Sequence, residues 1–386
     1  MLRVEMLPAG NGDSLWVEYG SASEIHRVLI DAGHASTYPH LRERILALPA
    51  AERVFELLIV THIDNDHIEG VLPLLQDTAL QCQFKDVWYN GWRHLGLPPA
   101  ADTPEDALGP KQGEFLGVLI EDKGLPWNAA FGHGPVLVPT TGDLPRRELD
   151  GGLSLTLLSP TPNQLAALIP TWRQVIQDAH FQPGDTAAMR TQLQRRKYNA
   201  ALDDVLGSED SDTSDDVDGG GDLDPDEIDI DDTLGRVEDG PGGSDTSEPN
   251  GTSIAVLAEY DGKTALLTGD AFAGVLAASL IRANASAKRP LSVDMWKLAH
   301  HGSWANFTPE LFALVRTSRY LVSTDGSGYN HPHARTLNYI IDHYAGRGRP
   351  NLVFNYRSAT TEAWAQFHPA ADRFTASYPA GAVVLI

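Results

Sequence analysis

Short apolar strings alternating with Gly-rich turns fill the first third of the chain. Arg3 to Leu7, Ser14 to Tyr19 and Arg27 to Ile30 read as three strands separated by Gly-rich or polar turns. Val54-Phe55-Glu56-Leu57-Leu58-Ile59-Val60 is mostly apolar and β-prone, the pattern of a strand buried on both faces. Ile68 to Gln76 predicts a helix with Pro73 in its first turns, and Lys85 to Tyr89 the next strand. From Leu95 to Asp150 the chain is rich in Pro and Gly, with a short helix over Gly113 to Lys123. This stretch is expected to be an insertion lying over the mouth of a site. Leu153 to Leu158 alternates into a strand ending at Ser159-Pro160, and Asn163 to Leu206 carries helical pattern with the basic residues Arg190, Arg195, Arg196 and Lys197. Strands return at Ser253 to Leu257, Ala265 to Thr268, Tyr320 to Thr324, Leu352 to Tyr356 and Ala382 to Ile386, with a helix over Ala334 to Tyr344. Strand, loop, helix and then further strands with helices predict an α/β fold: one domain over 1–386, carrying a cap insertion at 95–150, a helical insertion at 161–206 and an acidic linker at 207–249.

Composition changes this picture in two places. With 386 residues and 42% hydrophobic content the chain can bury a large core. No apolar run approaches the length of a membrane span, and no signal peptide is expected. Cys82 is the only cysteine, so no disulfide forms within the chain, and a cytoplasmic setting is expected. The net charge of −23 is concentrated: from Asp203 to Glu248 nineteen acidic residues face the single Arg236, which leaves −5 for the rest. Global charge is therefore a poor guide to what the folded body binds. The acidic stretch is too poor in apolar residues to fold alone and is expected to be disordered, with a basic protein as its natural partner. Asp222-x-Asp224-x-Asp226 hints at calcium, but Glu227 and Thr233 stand where an EF-hand loop requires Gly and Glu.

The candidate chemistry sits just after the fourth strand. His62-x-Asp64-x-Asp66-His67 packs four potential metal ligands into six residues, a crowding that folding alone does not require. His62 and Asp64 can point the same way while the chain is extended, and Asp66 and His67 lie beyond a turn. Far along the chain, Ala265-Leu266-Leu267-Thr268-Gly269-Asp270 ends a buried strand on a carboxylate. Trp296-Lys297-Leu298-Ala299-His300-His301-Gly302-Ser303 and Tyr329-Asn330-His331-Pro332-His333 bring further imidazoles.

These segments, in this order, resemble the metallo-β-lactamase superfamily, whose usual motif is His-x-His-x-Asp-His; Asp64 stands for the second histidine. The variant looks most like the ComEC-type hydrolase domain of competence proteins, as do the turn Gly10-Asn11-Gly12-Asp13-Ser14, the Leu29-Ile30-Asp31-Ala32-Gly33 segment, Asn250-Gly251-Thr252-Ser253, Thr268-Gly269-Asp270 and His300-His301-Gly302-Ser303. The resemblance implies a four-layer αββα sandwich and covers 1–89, 151–160 and 250–386. It implies two divalent ions, one held by His62, Asp64 and Asp270 and the other by Asp66, His67, Asp270 and His300. Asp31 would brace the ligand loop without binding metal. His301 would face substrate or support the ligands, although the roles of His300 and His301 could be reversed. His331 would protonate a leaving group or hold a phosphate. Asp66 would orient the nucleophile, and Ser303 and His333 would contact substrate; outside the resemblance, Arg93 and His94 of the expected cap are read as lining the cleft, Arg93 meeting a phosphate, with an aromatic cluster that only holds the loop down as the other reading. The superfamily's third histidine is absent after Leu158, so either His94 or His133 completes the first site, or water does. Asp64 makes that site oxygen-rich, favouring manganese or magnesium over zinc, with zinc still able to bind.

Two ions can activate a shared water and stabilise charge on an attacked phosphoryl group. The resulting expectation is a soluble phosphodiesterase or nuclease acting on DNA or other nucleic acid. Alternatives are a small phosphoester hydrolase, similar to phosphorylcholine esterase, using Trp88, Trp92 and Trp127 as a cation cage, and a non-catalytic scaffold that recruits partners through the acidic insert.

Overall fold

The computed structural model describes residues 1–96, 109–179, 181–194, 244–285, 289–327, 329–346, 348–366, 373–379 and 383–385. Arg195, Arg196, Lys197, the Asp222 to Asp226 triplet and residues 207–243 of the linker expected to be disordered over 207–249 lie outside them; its described end is ordered, since Asp245 accepts from Asn250 and Asn306 and a short helix starts at Glu248.

The chain is mixed α/β. Strands β1 (Leu2–Met6), β2 (Leu15–Ser21), β3 (Glu24–Ile30), β4 (Leu57–Ile59) and β5 (Val87–Trp88) form one sheet. The second contains β6 (Arg146–Glu148), β7 (Ser154–Ser159), β8 (Ala255–Tyr260), β9 (Lys263–Leu267), β10 (Met295–Lys297), β11 (Arg319–Val322), β12 (Asn351–Phe354) and β13 (Thr375–Ser377). A last strand, β14 (Val383–Leu385), returns to pair with β1 in the first sheet. β3, β4 and β5 run parallel, as do β9 through β13. The edges β14-β1-β2 and β6-β7-β8 are antiparallel.

Period-two alternation explains how the sheets meet. In β4, Leu57 and Ile59 join one apolar cluster while Leu58 joins another; in β9, Ala265 and Leu267 separate from Leu266 in the same way. The cluster that receives Leu57, Ile59, Ala265 and Leu267 draws on both sheets, so their inner faces share it. On the other side of the first sheet, Trp16, Leu29 and Leu58 pack against α1 (Tyr38–Leu46), α3 (Val71–Gln76), α4 (Gly109–Asp122) and α5 (Pro162–Asp178). On the far side of the second, Leu266, Trp296 and Val322 pack against α7 (Ala273–Ala283), α8 (Pro309–Leu314), α9 (Ala334–His343) and α10 (Ala359–Gln366). The short helices α2 (Asn65–Ile68) and α6 (Glu248–Gly251) stand at the site itself. No helix among the described residues is long and apolar enough to cross a membrane.

Several expectations need correction. The strand read over Val54 to Val60 breaks at Glu56, because its buried carboxylate turns to His26 and Lys85 at 2.8 and 2.7 Å. The helix read over Ile68 to Gln76 breaks at Gly70, which lies against Ala32. A Cβ at Gly70 would stand 2.1 Å from the Ala32 carbonyl oxygen. The described part of 95–150 is no cap: Phe115, Leu116 and Ile120 of α4 are core residues, Val136 and Val138 sit between the sheets, and β6 edges the second sheet. Likewise the described start of 161–206 is no appendage, since Leu165, Ile169 and Trp172 of α5 close the first sheet's outer core.

Candidate metal centre

The candidate ligands gather where parallel strands end, the position at which α/β folds present chemistry. Asp31 follows β3, the His62 to His67 loop follows β4, Asp270 follows β9, and His300 and His301 follow β10. Backbone hydrogen bonds tie the two sheets together here, from Ile254 N to Thr61 O at 3.0 Å and from Asp325 N to Gly10 O at 2.9 Å. The β1–β2 turn is wedged against the ligand loop: Asp13 N donates to Asp66 O, and a Cβ on Gly12 would lie 1.8 Å from that same oxygen. Gly12→Ala must therefore push the loop away. The expected result is a loss of roughly 2–3 kcal/mol of stability, read by urea unfolding, with weaker uptake of divalent cation.

Six side chains gather here. Asp270 Oδ2 lies 3.3 Å from His67 Nε2, 3.6 Å from His301 Nε2 and 4.0 Å from His62 Nε2, while Asp66 Oδ2 lies 3.4 Å from His301 Nε2 and 3.7 Å from His67 Nε2. Asp64 Oδ2 reaches to 3.5 Å from His62 Nε2. The other ring nitrogen of each imidazole is already held. His67 Nδ1 donates to Asp31 Oδ2 at 2.8 Å, and His301 Nδ1 to the Ser323 carbonyl at 2.8 Å. Thr61 Oγ1 spends its proton on Asp31, so it accepts from His62 Nδ1 at 3.0 Å. These bonds turn three Nε2 lone pairs inward, and all three, with Asp270 Oδ1, are buried with no hydrogen-bond partner. Buried polar atoms are rarely left so. With their far sides anchored, these groups could hold a metal ion, His62, His67 and Asp270 lying together and Asp66, His67 and His301 lying together beside them.

The electrostatics agree. Burial would lower the His301 pKa, but Asp270 and Asp13 raise it to about 9; His67 is likewise raised, by Asp270, Asp66 and Asp31, against its burial. Burial would raise Asp270, yet the facing imidazoles, His67 first, hold it well below the usual carboxylate range. The potential that draws protons to these nitrogens draws a cation equally, and the two compete. Because its folded pKa lies above the ordinary histidine value of about 6.5, His301 stabilises the metal-free protein below that pH. This contribution is lost as pH rises through about 9. The melting temperature of chelator-treated protein should therefore fall between pH 6.5 and 9, and the rise in melting temperature on adding Mn²⁺ or Zn²⁺ should grow over the same interval. Scanning fluorimetry at three pH values checks both; a metal-induced shift that shrinks toward pH 9 would contradict the assignment.

The centre opens into a cavity of about 620 Å³ lined by Asp64, Asp66, Asp245, Glu248, Asp270, His34, His300, His301 and His331, among others. No lysine or arginine belongs to the described lining. His301, buried, takes the inward place first expected for His300; His300 stays partly exposed on the cavity wall, with Nε2 3.9 Å from Asp270 and Nδ1 donating to Asn306 Oδ1 at 2.9 Å. His331 lines the cavity, but burial and the neighbouring His300, His301 and His333 push its pKa down to about 2. The direction of that shift favours a neutral ring, which fits holding a phosphate better than protonating a leaving group. Ser303 is buried and caps the turn at Ala305, and His333 accepts from Trp304 N, so neither lines the cavity.

Arg93 and His94 are also placed elsewhere. Arg93 pairs with Glu121 and covers the Trp127 ring, and His94 is buried edge-on to Trp127 with its pKa pushed down to about 4, chiefly by burial. His133 Nδ1 bonds the Trp127 carbonyl. Neither histidine reaches the first site. The proposed cation cage fails for a related reason: Trp88 is core, and the Trp92 and Trp127 rings are covered by Arg173 and Arg93. Sequence reasoning did not single out Asp245, which accepts from Asn250 Nδ2 and Asn306 Nδ2 at 2.8 Å and lies 3.6 Å from His300 Nδ1. It also missed the buried pair Asp13 and Lys297. No protein-family model matches the chain, and no curated protein matches it either.

Proposed function

We propose that this chain is a metal-dependent hydrolase of phosphodiesters, with nucleic acid as the substrate class implied by its ComEC-like motif order. The observation that carries the reading is the set of three buried, unpartnered Nε2 atoms, of His62, His67 and His301, each within 4.0 Å of Asp270 Oδ2. The two sheets and their outer helices are read as the αββα sandwich of the metallo-β-lactamase superfamily. His62, Asp64 and Asp270 would hold one divalent ion, and Asp66, His67, Asp270 and His301 a second, zinc or manganese in identity, magnesium also being compatible with the oxygen donors. Bound there, such ions supply a hydroxide at neutral pH and a counter-charge for the attacked phosphoryl group.

The protein's own contribution is orientation. Asp31, Thr61, Ser253 and Ser323 fix the imidazole rings, and Asp66 would accept a hydrogen bond from the attacking water. His300 and His331 on the cavity wall donate to phosphoryl oxygens. With five carboxylates and no lysine or arginine in the described lining, the cavity repels an anionic substrate until cations are loaded. Activity should then depend steeply on metal. The test is side-by-side incubation of metal-loaded protein with supercoiled plasmid, single-stranded DNA, bis-p-nitrophenyl phosphate and p-nitrophenyl phosphorylcholine. Cleavage of the diesters, abolished by chelator, is expected. Inert diesters at full metal occupancy would overturn the reading.

A further inference from the structure

One buried cation stands among the carboxylates of this centre. Lys297 ends β10, its Cα paired in register with Leu267 of β9 on one side and Leu321 of β11 on the other. Both leucines belong to the apolar cluster between the sheets, so the row reads leucine, lysine, leucine, and Lys297 is fully buried in it. A lysine in such a row is retained only if its ammonium has an anion. That anion is Asp13, 284 residues away in sequence, whose Oδ2 receives the Lys297 Nζ.

Asp13 is positioned as a metal ligand would be. It is 1% exposed, held to the ligand loop through its amide, and its carboxylate oxygens group with Asp31 and His67 and with Asp270 and His301. Its Oδ1 is 3.5 Å from His301 Nδ1 and is buried with no hydrogen-bond partner. Among the described residues, Lys297 is the one lysine or arginine paired with any of Asp13, Asp31, Asp66 and Asp270.

We propose that Lys297 is a resident cation of the centre: its ammonium claims Asp13, keeps that carboxylate out of the ligand set, and so fixes how many divalent ions the centre accepts. Lys297 is thus a positioning residue, acting through Asp13 and His301. The inference rests on the reading of this cluster as a metal centre.

The experiment counts metal in the full chain. Wild type, Lys297→Met and the double variant Asp13→Asn/Lys297→Met are stripped with chelator, equilibrated with Mn²⁺ or Zn²⁺, and measured by plasma mass spectrometry for stoichiometry and by calorimetry for affinity. Lys297→Met is expected to take up one further equivalent, or to bind at least about tenfold more tightly, because Asp13 is released as a ligand. The double variant, which removes both charges, is expected to return to the wild-type count. Should Lys297→Met fold only in the presence of Mn²⁺ or Zn²⁺, that rescue reads the same gain. A single variant with wild-type count and affinity overturns the proposal. So does a double variant that loses an ion, since Asp13 would then be a ligand in its own right, and so does a single variant that stays unfolded with metal while the double variant folds. Wild-type protein that takes up neither ion sinks the metal reading as well, which separates the two failures.

Discussion

Asp270→Asn should lower the proposed phosphodiester hydrolysis by roughly a thousandfold while leaving the fold in place. The substitution keeps the shape of the side chain and removes the charge at the point where four imidazoles meet. Asp270 Oδ2 lies between 3.3 and 4.0 Å from the Nε2 atoms of His62, His67, His300 and His301, and the residue is only 2% exposed. A neutral amide there coordinates divalent ions poorly, and in the proposed arrangement it belongs to both ion sites, so a single change weakens both. Its Oδ1 has no other partner, and the backbone amide remains held by Ser253 Oγ at 3.2 Å. Loss of activity should therefore accompany loss of metal, with little change in circular dichroism. The check is a joint measurement of metal content and kcat/KM on bis-p-nitrophenyl phosphate. A variant that keeps its ions and its rate would remove Asp270 from the centre.

The parts of the fold that were legible are those set by local alternation. β1, β2 and β7 were readable within a residue or two, and β3 all but its first three residues, because each is a short apolar string between turn residues. α1, α7 and α8 were not marked. In α1 only Leu41 and Ile45 are buried, too few to make a period visible, and the Ala-rich α7 gives little polar contrast along its length. The stretch after Leu95 was read as a cap because Pro and Gly announce turns without saying which way the chain folds back. What decides it is the burial of Phe115, Leu116 and Ile120 against the first sheet, a tertiary fact. At the site, His62 to His67, Asp270 and the His300-His301 pair stood out because ligand-type residues crowd there beyond any folding need. Which of the two adjacent histidines points inward was not written in the sequence. Both have positive φ, 47° and 53°, and this turn swings His301 toward Asp66 and Asp270 while His300 faces the cavity. Asp13 and Lys297 escaped notice for a simpler reason: each looks ordinary alone, and only the fold joins them.

Asp31→Ala is the change outside the ligands themselves with the largest expected cost. Asp31 is fully buried and its carboxylate accepts three hydrogen bonds: from Thr61 N at 2.7 Å, from Thr61 Oγ1 at 2.7 Å and from His67 Nδ1 at 2.8 Å. The first two pin the start of the ligand loop, and the third sets which nitrogen of His67 faces the centre. Alanine leaves a backbone amide, a hydroxyl and an imidazole nitrogen buried without an acceptor, each costing about 1–3 kcal/mol. It must also adopt the positive φ of 57° that aspartate tolerates better. Relaxation of the loop recovers part of this, so the expected net loss is roughly 4 kcal/mol, together with a 10- to 100-fold fall in metal affinity from the unanchored His67. Urea unfolding of the metal-free protein reads the first effect and calorimetric titration with Mn²⁺ the second. Asp31→Asn separates them, because its amide oxygen still accepts from Thr61 N while the charge opposite His67 is gone: stability should recover by more than half, whereas metal affinity should stay depressed. If Asp31→Ala unfolds at the wild-type urea concentration, the loop is held by something other than this carboxylate, and the anchoring assigned to His67 fails with it.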